Sequence, residues 1–289
     1  MSAAGKTIIV TGGTDGIGKE TVRALVSAGA RVTIVARNKT KADALIGDLK
    51  RDAPGADLRF VACDLSSRAS IGTAAAEILA THPRIDVLIN NAGGVFMKRT
   101  VSVDGHESTF ALNHLAYALV TDLLLERIKA SAPARIVSVA SLVHTSGRLD
   151  FDDLMGVKRY SGIGAYANSK LANVCFTCAL ARRLEGSGVT ANCLHPGFVA
   201  SQFGMNNGAA MRLVFGLIQK IGGAISETDG AKTSVYLATS PEVEGKTGGY
   251  YVKCKRVASS PASQDIAAQE KLWTVTEGLL AGLAKAPDA

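Results

Sequence analysis

Seven short runs of apolar, largely β-branched residues punctuate the chain, at 7–10, 31–36, 58–62, 87–89, 135–139, 190–194 and 250–252. Between them lie longer segments whose apolar positions recur at helical spacing. The runs do not alternate apolar with polar, which is the pattern of strands covered by helices on both faces. Strand and helix follow one another in turn. This order predicts an α/β, Rossmann-like, doubly wound parallel sheet of seven strands with right-handed crossovers. No linker-like stretch and no internal repeat divides the sequence, so residues 1–289 read as a single domain. In such sheets ligands bind beyond the carboxyl ends of the strands, which is where chemistry is sought.

Composition narrows the possibilities. The chain is 47% hydrophobic, with 30 glycines against 7 prolines, as expected of a large α/β domain. Its formal charge of +7 comes from Lys and Arg scattered along helical segments, without basic blocks or interleaved aromatics. That dispersal argues against a nucleic-acid partner, while the diffuse positive field favours an anionic cofactor. Cys63, Cys175, Cys178, Cys193 and Cys254 are odd in number and sit mostly in apolar runs, so reduced thiols and a cytoplasmic setting are expected. Cys175 and Cys178 form a CxxC in the middle of a helical pattern with no matching ligand pair, which reads as packing and not as a metal site. The start, MSAAGKTIIV, runs directly into a strand, so no signal peptide is expected, and no apolar run reaches membrane-spanning length.

The motifs that could carry chemistry follow strands. After the first comes Thr11-Gly12-Gly13-Thr14-Asp15-Gly16-Ile17-Gly18, opening a helix. Gly12, Gly16 and Gly18 allow a tight turn and close approach to a pyrophosphate, which Thr14, Asp15 and Ile17 would also face at the helix N-terminus. At the end of the second strand stand Arg37 and Asn38. An acidic residue there suits an unmodified ribose, whereas Arg pairs with a 2′-phosphate, so NADP is preferred over NAD. Asp15 is a counter-signal, since a carboxylate repels phosphate. Asp64 and Leu65 follow the third strand, where Asp64 is either at the adenine edge or a helix cap. Asn91, Ala92 and Gly93 follow the fourth, as a cofactor-facing turn or as a loop that stabilises the middle of the sheet.

Ser141 closes the fifth strand, and Tyr166 is followed four residues later by Lys170. Residues i and i+4 share a helix face, so phenol and ammonium converge. The cation is expected to pull the Tyr pKa of about 10 down toward the range of a general acid/base. No G-x-S-x-G elbow accompanies Ser141, so its hydroxyl reads as a hydrogen-bond donor and not as an acyl-transfer nucleophile.

Taken together, TGGTDGIG, NNAG, Asn113, Ser141, YANSK and Pro196-Gly197 resemble the short-chain dehydrogenase/reductase family over nearly the whole chain. The segments SKLANVCFTCALARRLEGSGVTANCLHPG and DGAKTSVYLATSPEVEGKTGGYY look most like its retinol dehydrogenase branch. The resemblance implies catalytic roles for Asn113, Ser141, Tyr166 and Lys170. Tyr166 would exchange the proton with a carbonyl or alcohol oxygen, Lys170 would hold the nicotinamide ribose, Ser141 would orient the oxygen and Asn113 would anchor a water leading to solvent. Pro196, Gly197 and Val199 would line the nicotinamide pocket. It also implies a homodimer or homotetramer built on the helices around Asn113 and Tyr166. Two departures stand out. No hydrophobic anchor of the kind common in animal retinol dehydrogenases precedes the first strand, so membrane retinoid chemistry is not expected to carry over directly. The stretch between Ser141 and Tyr166 is long, as in that branch. Residues 198–225 are Met-, Phe- and Leu-rich and read as a lid over a lipophilic substrate, or as a patch touching lipid. The expected function is NADP-dependent interconversion of an alcohol and a carbonyl on an apolar small molecule. The competing expectation is a non-catalytic NADP-binding or redox-sensing module.

Overall fold

Each apolar run forms a strand, and its lack of alternation has a direct cause. In the computed structural model, which describes residues 2–199 and 224–281, Ile9 of β1 (Thr7–Thr11) joins one core while its neighbours Ile8 and Val10 join another on the opposite face. All three are fully buried. Each such side chain contributes about 1.5–3 kcal/mol from leaving water. The same division holds in β4 (Val87–Asn90), with Leu88 on one side and Val87 and Ile89 on the other.

The strands β2 (Arg31–Ala36), β3 (Leu58–Ala62), β5 (Ala134–Val139), β6 (Val189–His195) and β7 (Tyr250–Val252) complete the expected set. The spatial order is β3-β2-β1-β4-β5-β6-β7-β8, and all neighbours are parallel except the last pair. The eighth strand, β8 (Lys255–Val257), adds to the seven expected from sequence. It is exposed throughout and returns on β7 through Lys253 and Cys254, both at positive φ. Two left-handed central residues make the tight turn that suits a hairpin, usually built from Asn or Gly. Neither the turn residues nor an apolar face announces this strand.

Helices cover both faces. Leu25 of α1 (Gly16–Ser27), Leu45 of α2 (Lys39–Asp52) and Leu237 of α6 (Glu227–Thr239) pack on one core. On the other lie α3 (Arg68–Thr81), α4 and α5 (Gly162–Arg183). The helix α4 runs through Ser108–Phe110 and Ala116–Ala130, joined by a π-wound turn at Ala111–Leu115. Side chains of Asn38, Ser161 and Ser226 accept the N–H of Lys41, Gly164 and Asp229, capping α2, α5 and α6.

The last helix, α7 (Ile266–Ala281), lies along α5. Trp273 stacks on Phe176 with centroids 5.2 Å apart, and Arg182 and Arg183 pair with Glu270. Part of the helical surface around Asn113 and Tyr166 that the resemblance assigns to subunit contact is therefore covered by the chain's own C-terminal helix. Among the described residues no helix is long and apolar enough to cross a membrane. The thiols of Cys63, Cys175, Cys178, Cys193 and Cys254 are free, and burial pushes that of Cys175 up to about 12. So little thiolate forms that Cys175 behaves as a packing residue.

Candidate active site

The strand order reverses between β1 and β4, and the turns leaving those two strands touch. A Cβ on Gly12 would stand 2.7 Å from the Cα of Ala92, so only glycine fits there, and its φ of +67° demands glycine independently. The Asn91 side-chain amide donates to the carbonyls of Thr11 and Gly12, at 2.9 and 3.2 Å. The N–H groups of Asn91 and Ala92 both donate to Thr11 Oγ1. Of the two sequence readings of this loop, Asn91 thus carries out the sheet-stitching one. A Cβ on Gly18 would lie 2.5 Å from Asn91 Nδ2, so α1 is pressed against the same junction. In its first turn the N–H groups of Ile17 and Gly18 meet no acceptor among the described residues, whereas Asp15 takes that of Gly16. Open backbone donors, a helix N-terminus and a floor with no room for side chains fit a dinucleotide pyrophosphate.

At the edge of this crevice Arg37 and Asn38 are exposed. Arg37 has no hydrogen bond or ion pair among the described residues, while Asn38 is spent capping α2. Lys41 forms an ion pair with Asp15. The pairing answers the counter-signal in the glycine turn, because the carboxylate that would repel phosphate is neutralised by a neighbouring cation. Asp64 does not cap α3, a role taken by Ser67; its Oδ1 instead accepts the N–H and hydroxyl of Ser66. Leu65 is buried in the core, which leaves only its backbone for a ligand.

Lys170 and Tyr166 share one face of α5, as their spacing requires. The Lys170 ammonium is buried, donates to the carbonyl of Val139 at 2.9 Å and lies 5.7 Å from the centre of the Tyr166 ring. Gly93 closes the gap toward the nucleotide side, since a Cβ there would be 3.5 Å from Lys170 Nζ and 3.2 Å from Asn113 Oδ1. The expected lowering of the Tyr pKa is reversed. Burial pushes the Tyr166 phenol up to about 12, against the opposing pull of a hydrogen bond with the Ser141 side chain. Burial also pulls Lys170 down to about 7. Desolvation penalises each charge separately, and a lysine that prefers to be neutral has little field with which to stabilise a phenolate.

Asn113 lies in the π-wound turn, fully buried. Its Oδ1 accepts the N–H of Gly94 at 2.8 Å, and its Nδ2 donates to the Gly94 carbonyl and to Ser169 Oγ, both at 2.9 Å. Both polar atoms are thus engaged by protein, so what the side chain visibly does is lock the turn after β4 onto α5. Pro196 and Gly197 follow β6, with Gly197 at φ +101°, and Val199 pairs with Ile225 and packs over Gly230. The lid read from residues 198–225 lies outside the described residues except at its ends.

The sequence profile of the short chain dehydrogenase family matches residues 6–212. The chain belongs to that family. Mouse retinol dehydrogenase 12 is 40% identical over 276 residues, covering 96% of this chain and 86% of the relative. Human retinol dehydrogenase 14 is 40% identical over 296 residues, covering 97% and 88%. Among solved structures, an uncharacterised protein from Mycobacterium paratuberculosis superposes with a TM-score of 0.76 at 28% identity, over 96% of this chain and 94% of that one. A Beutenbergia cavernae protein described as an NAD(P)-dependent gluconate 5-dehydrogenase, solved with NADP, gives 0.69 at 28% identity over 87% and 96%. This short-chain dehydrogenase is accordingly an NAD(P)-dependent oxidoreductase acting on CH–OH groups.

Three residues of the site were not singled out by sequence. Thr11 opens the glycine motif in the sequence without a role of its own, and its bonds to residues 80 and 81 positions away have no local signal. Lys41 pairs with Asp15 across 26 positions. Gly147 lets the loop after Ser141 lie on α5, where a Cβ would come within 2.6 Å of the Ala167 carbonyl. Its only sequence trace is the glycine itself.

Proposed function

We propose that the enzyme interconverts an alcohol and a carbonyl on an apolar small molecule using NADP, with Tyr166 exchanging the proton. The observation that carries this reading is the meeting of Tyr166, its hydrogen-bond partner Ser141 and the buried Lys170 amine beside the glycine-lined crevice. When bound, the nicotinamide supplies or accepts the hydride. In the reducing direction negative charge builds on the substrate oxygen. Tyr166 transfers its phenolic proton there, and the Ser141 hydroxyl donates a hydrogen bond to the same atom. The phenolate left behind is costly in a buried setting, and Lys170 offsets that cost by taking a second proton, supplied by solvent, to leave a neutral pair of opposite charges. Tyr166 and Lys170 therefore act as one titrating unit.

Support for NADP comes from Arg37, exposed at the end of β2 and without a partner among the described residues, with Lys41 cancelling Asp15 beside it. Support for a lipophilic substrate comes from Leu142, Ile163 and Phe198, which are 56%, 48% and 45% exposed and adjoin Ser141, Tyr166 and Gly197. Large apolar side chains left in water around a site indicate apolar ligands. The test is oxidation of NADPH and NADH by the purified protein against aliphatic aldehydes, retinal, quinones, steroid ketones and hydrophilic sugars. Turnover of a lipophilic carbonyl with NADPH preferred is the expected result. Preference for NADH or for sugars overturns the corresponding half of the reading, and tight NADPH binding without any turnover favours a binding module.

A further inference from the structure

Two histidines outside the Ser-Tyr-Lys set grip the two ends of the peptide that follows Ser141. His195, the last residue of β6, places Nδ1 3.1 Å from the N–H of Leu142 and 3.4 Å from that of Gly197. An amide N–H can only donate, so Nδ1 must be the bare acceptor nitrogen and the ring proton sits on Nε2. His144 is buried, and its Nε2 accepts the N–H of Ser260 at 3.1 Å. The proton is then on Nδ1, which lies 2.8 Å from the Ser141 carbonyl and donates to it. The Tyr250 ring, 4.8 Å away, packs against His144. The two rings thus hold opposite tautomers, each dictated by a backbone donor. One fixes the carbonyl and the other the N–H of the single peptide that joins Ser141 to Leu142, and His195 also ties that peptide to the loop after β6.

We propose that His144 and His195 are positioning residues that set the orientation of Ser141 relative to the loop at Pro196-Gly197. The inference rests on the reading of Ser141 as the group that orients the substrate oxygen. Ser141 lies in extended backbone at the start of a 3₁₀ turn, Leu142–Ser146, outside any strand or long helix, and its hydroxyl accepts the N–H of Val143. Burial keeps both rings neutral by lowering the affinity of each for a second proton, against the opposing pull of the Ser141 carbonyl on His144. A second proton on His195 would turn its acceptor nitrogen against two donors.

The test compares His195→Ala, His195→Asn and Ser141→Ala, alone and combined, in the assay that gives wild-type turnover. His195→Ala should lower kcat by roughly 10-fold or more, the worth of a lost orienting hydrogen bond, with NADPH affinity nearly unchanged. Asn carries an acceptor oxygen at the place of Nδ1, so His195→Asn should recover most of that loss. In the Ser141→Ala background, adding His195→Ala should cost little more, because the residue acts through Ser141. A full further loss in that background, or no recovery with Asn, overturns the brace. If Ser141→Ala itself leaves kcat untouched, the reading of Ser141 falls instead. Nitrogen-15 histidine NMR of the cofactor-free protein gives a readout independent of turnover. Opposite neutral tautomers for His144 and His195 are expected, and any other pair of tautomers contradicts the geometry.

Discussion

Acidification should destabilise this protein through a histidine that no catalytic step uses. His114 is fully buried between the π-wound turn, α5 and α7, with Nε2 2.9 Å from Thr276 Oγ1 and Nδ1 3.4 Å from Asn173 Oδ1. Phe110 and Phe176 flank its ring. Burial pulls its pKa from 6.5 down to about 4. Between those values the unfolded chain holds a proton that the folded chain refuses, so stability falls as pH drops through this window and levels off below it. At pH 5 the loss is about 2 kcal/mol relative to neutral pH, out of a total stability of about 5–15 kcal/mol. Urea denaturation at pH 7.5 and pH 5.0 measures it. His114→Gln, which cannot titrate, should change stability between the two pH values by about 2 kcal/mol less than wild type does, whatever the substitution costs at pH 7.5. His82, His144 and His195 are also held low by burial, but they are common to both proteins and cancel in the difference. Equal pH slopes for the two proteins would refute the reasoning.

Two further substitutions probe the nucleotide side, and a third probes the surface of α2. Arg37→Asp removes a cation and presents a carboxylate, and should shift the NADP/NAD preference toward NAD by about 100-fold, as expected for a lost charge-assisted phosphate contact plus repulsion; an unchanged ratio of kcat/KM values means that another group reads the phosphate. Gly18→Ala drives a Cβ to 2.5 Å from Asn91 Nδ2 and still closer to the Gly12 carbonyl oxygen. The turn must open at a cost of about 1–3 kcal/mol, weakening NADPH binding by roughly 10-fold in titration calorimetry, and undiminished affinity counts against the cradle. Gly47, by contrast, is exposed within α2 with nothing near its would-be Cβ. Gly47→Ala should therefore stabilise the protein by about 0.5–1 kcal/mol, read from the urea midpoint.

What the sequence made legible follows from how local each signal is. Strands buried on both faces announce themselves by apolar content alone, so all seven parallel strands were readable within one or two residues. The glycines at 12 and 18 and the Tyr166/Lys170 spacing were readable because a backbone angle or a helix face imposes them. Long-range chemistry was not. The Asp15–Lys41 pair, the bonds of Asn91 to Thr11 and Gly12, and the grip of His195 on Leu142 all join residues distant in the chain. The place of Asn113 in a π-wound turn, where it ties Gly94 to Ser169, joins residues 19 and 56 positions away and has no local signal either. The Tyr166 pKa went the other way from expectation because spacing reveals a nearby cation but not the burial that discourages its charge. The eighth strand escaped because three exposed residues behind a Lys-Cys turn carry neither apolar pattern nor customary turn residues.

The central claim is that Tyr166 exchanges the proton with the substrate oxygen. The direct measurement is single-turnover NADPH oxidation by Tyr166→Phe with a carbonyl substrate that the wild type reduces, alongside the NADPH dissociation constant. Loss of the chemical step by roughly 100-fold to 10,000-fold, with cofactor affinity within about 3-fold of wild type, is the predicted result for a lost general acid. A phenylalanine variant that still reduces the carbonyl at near wild-type rate would contradict it.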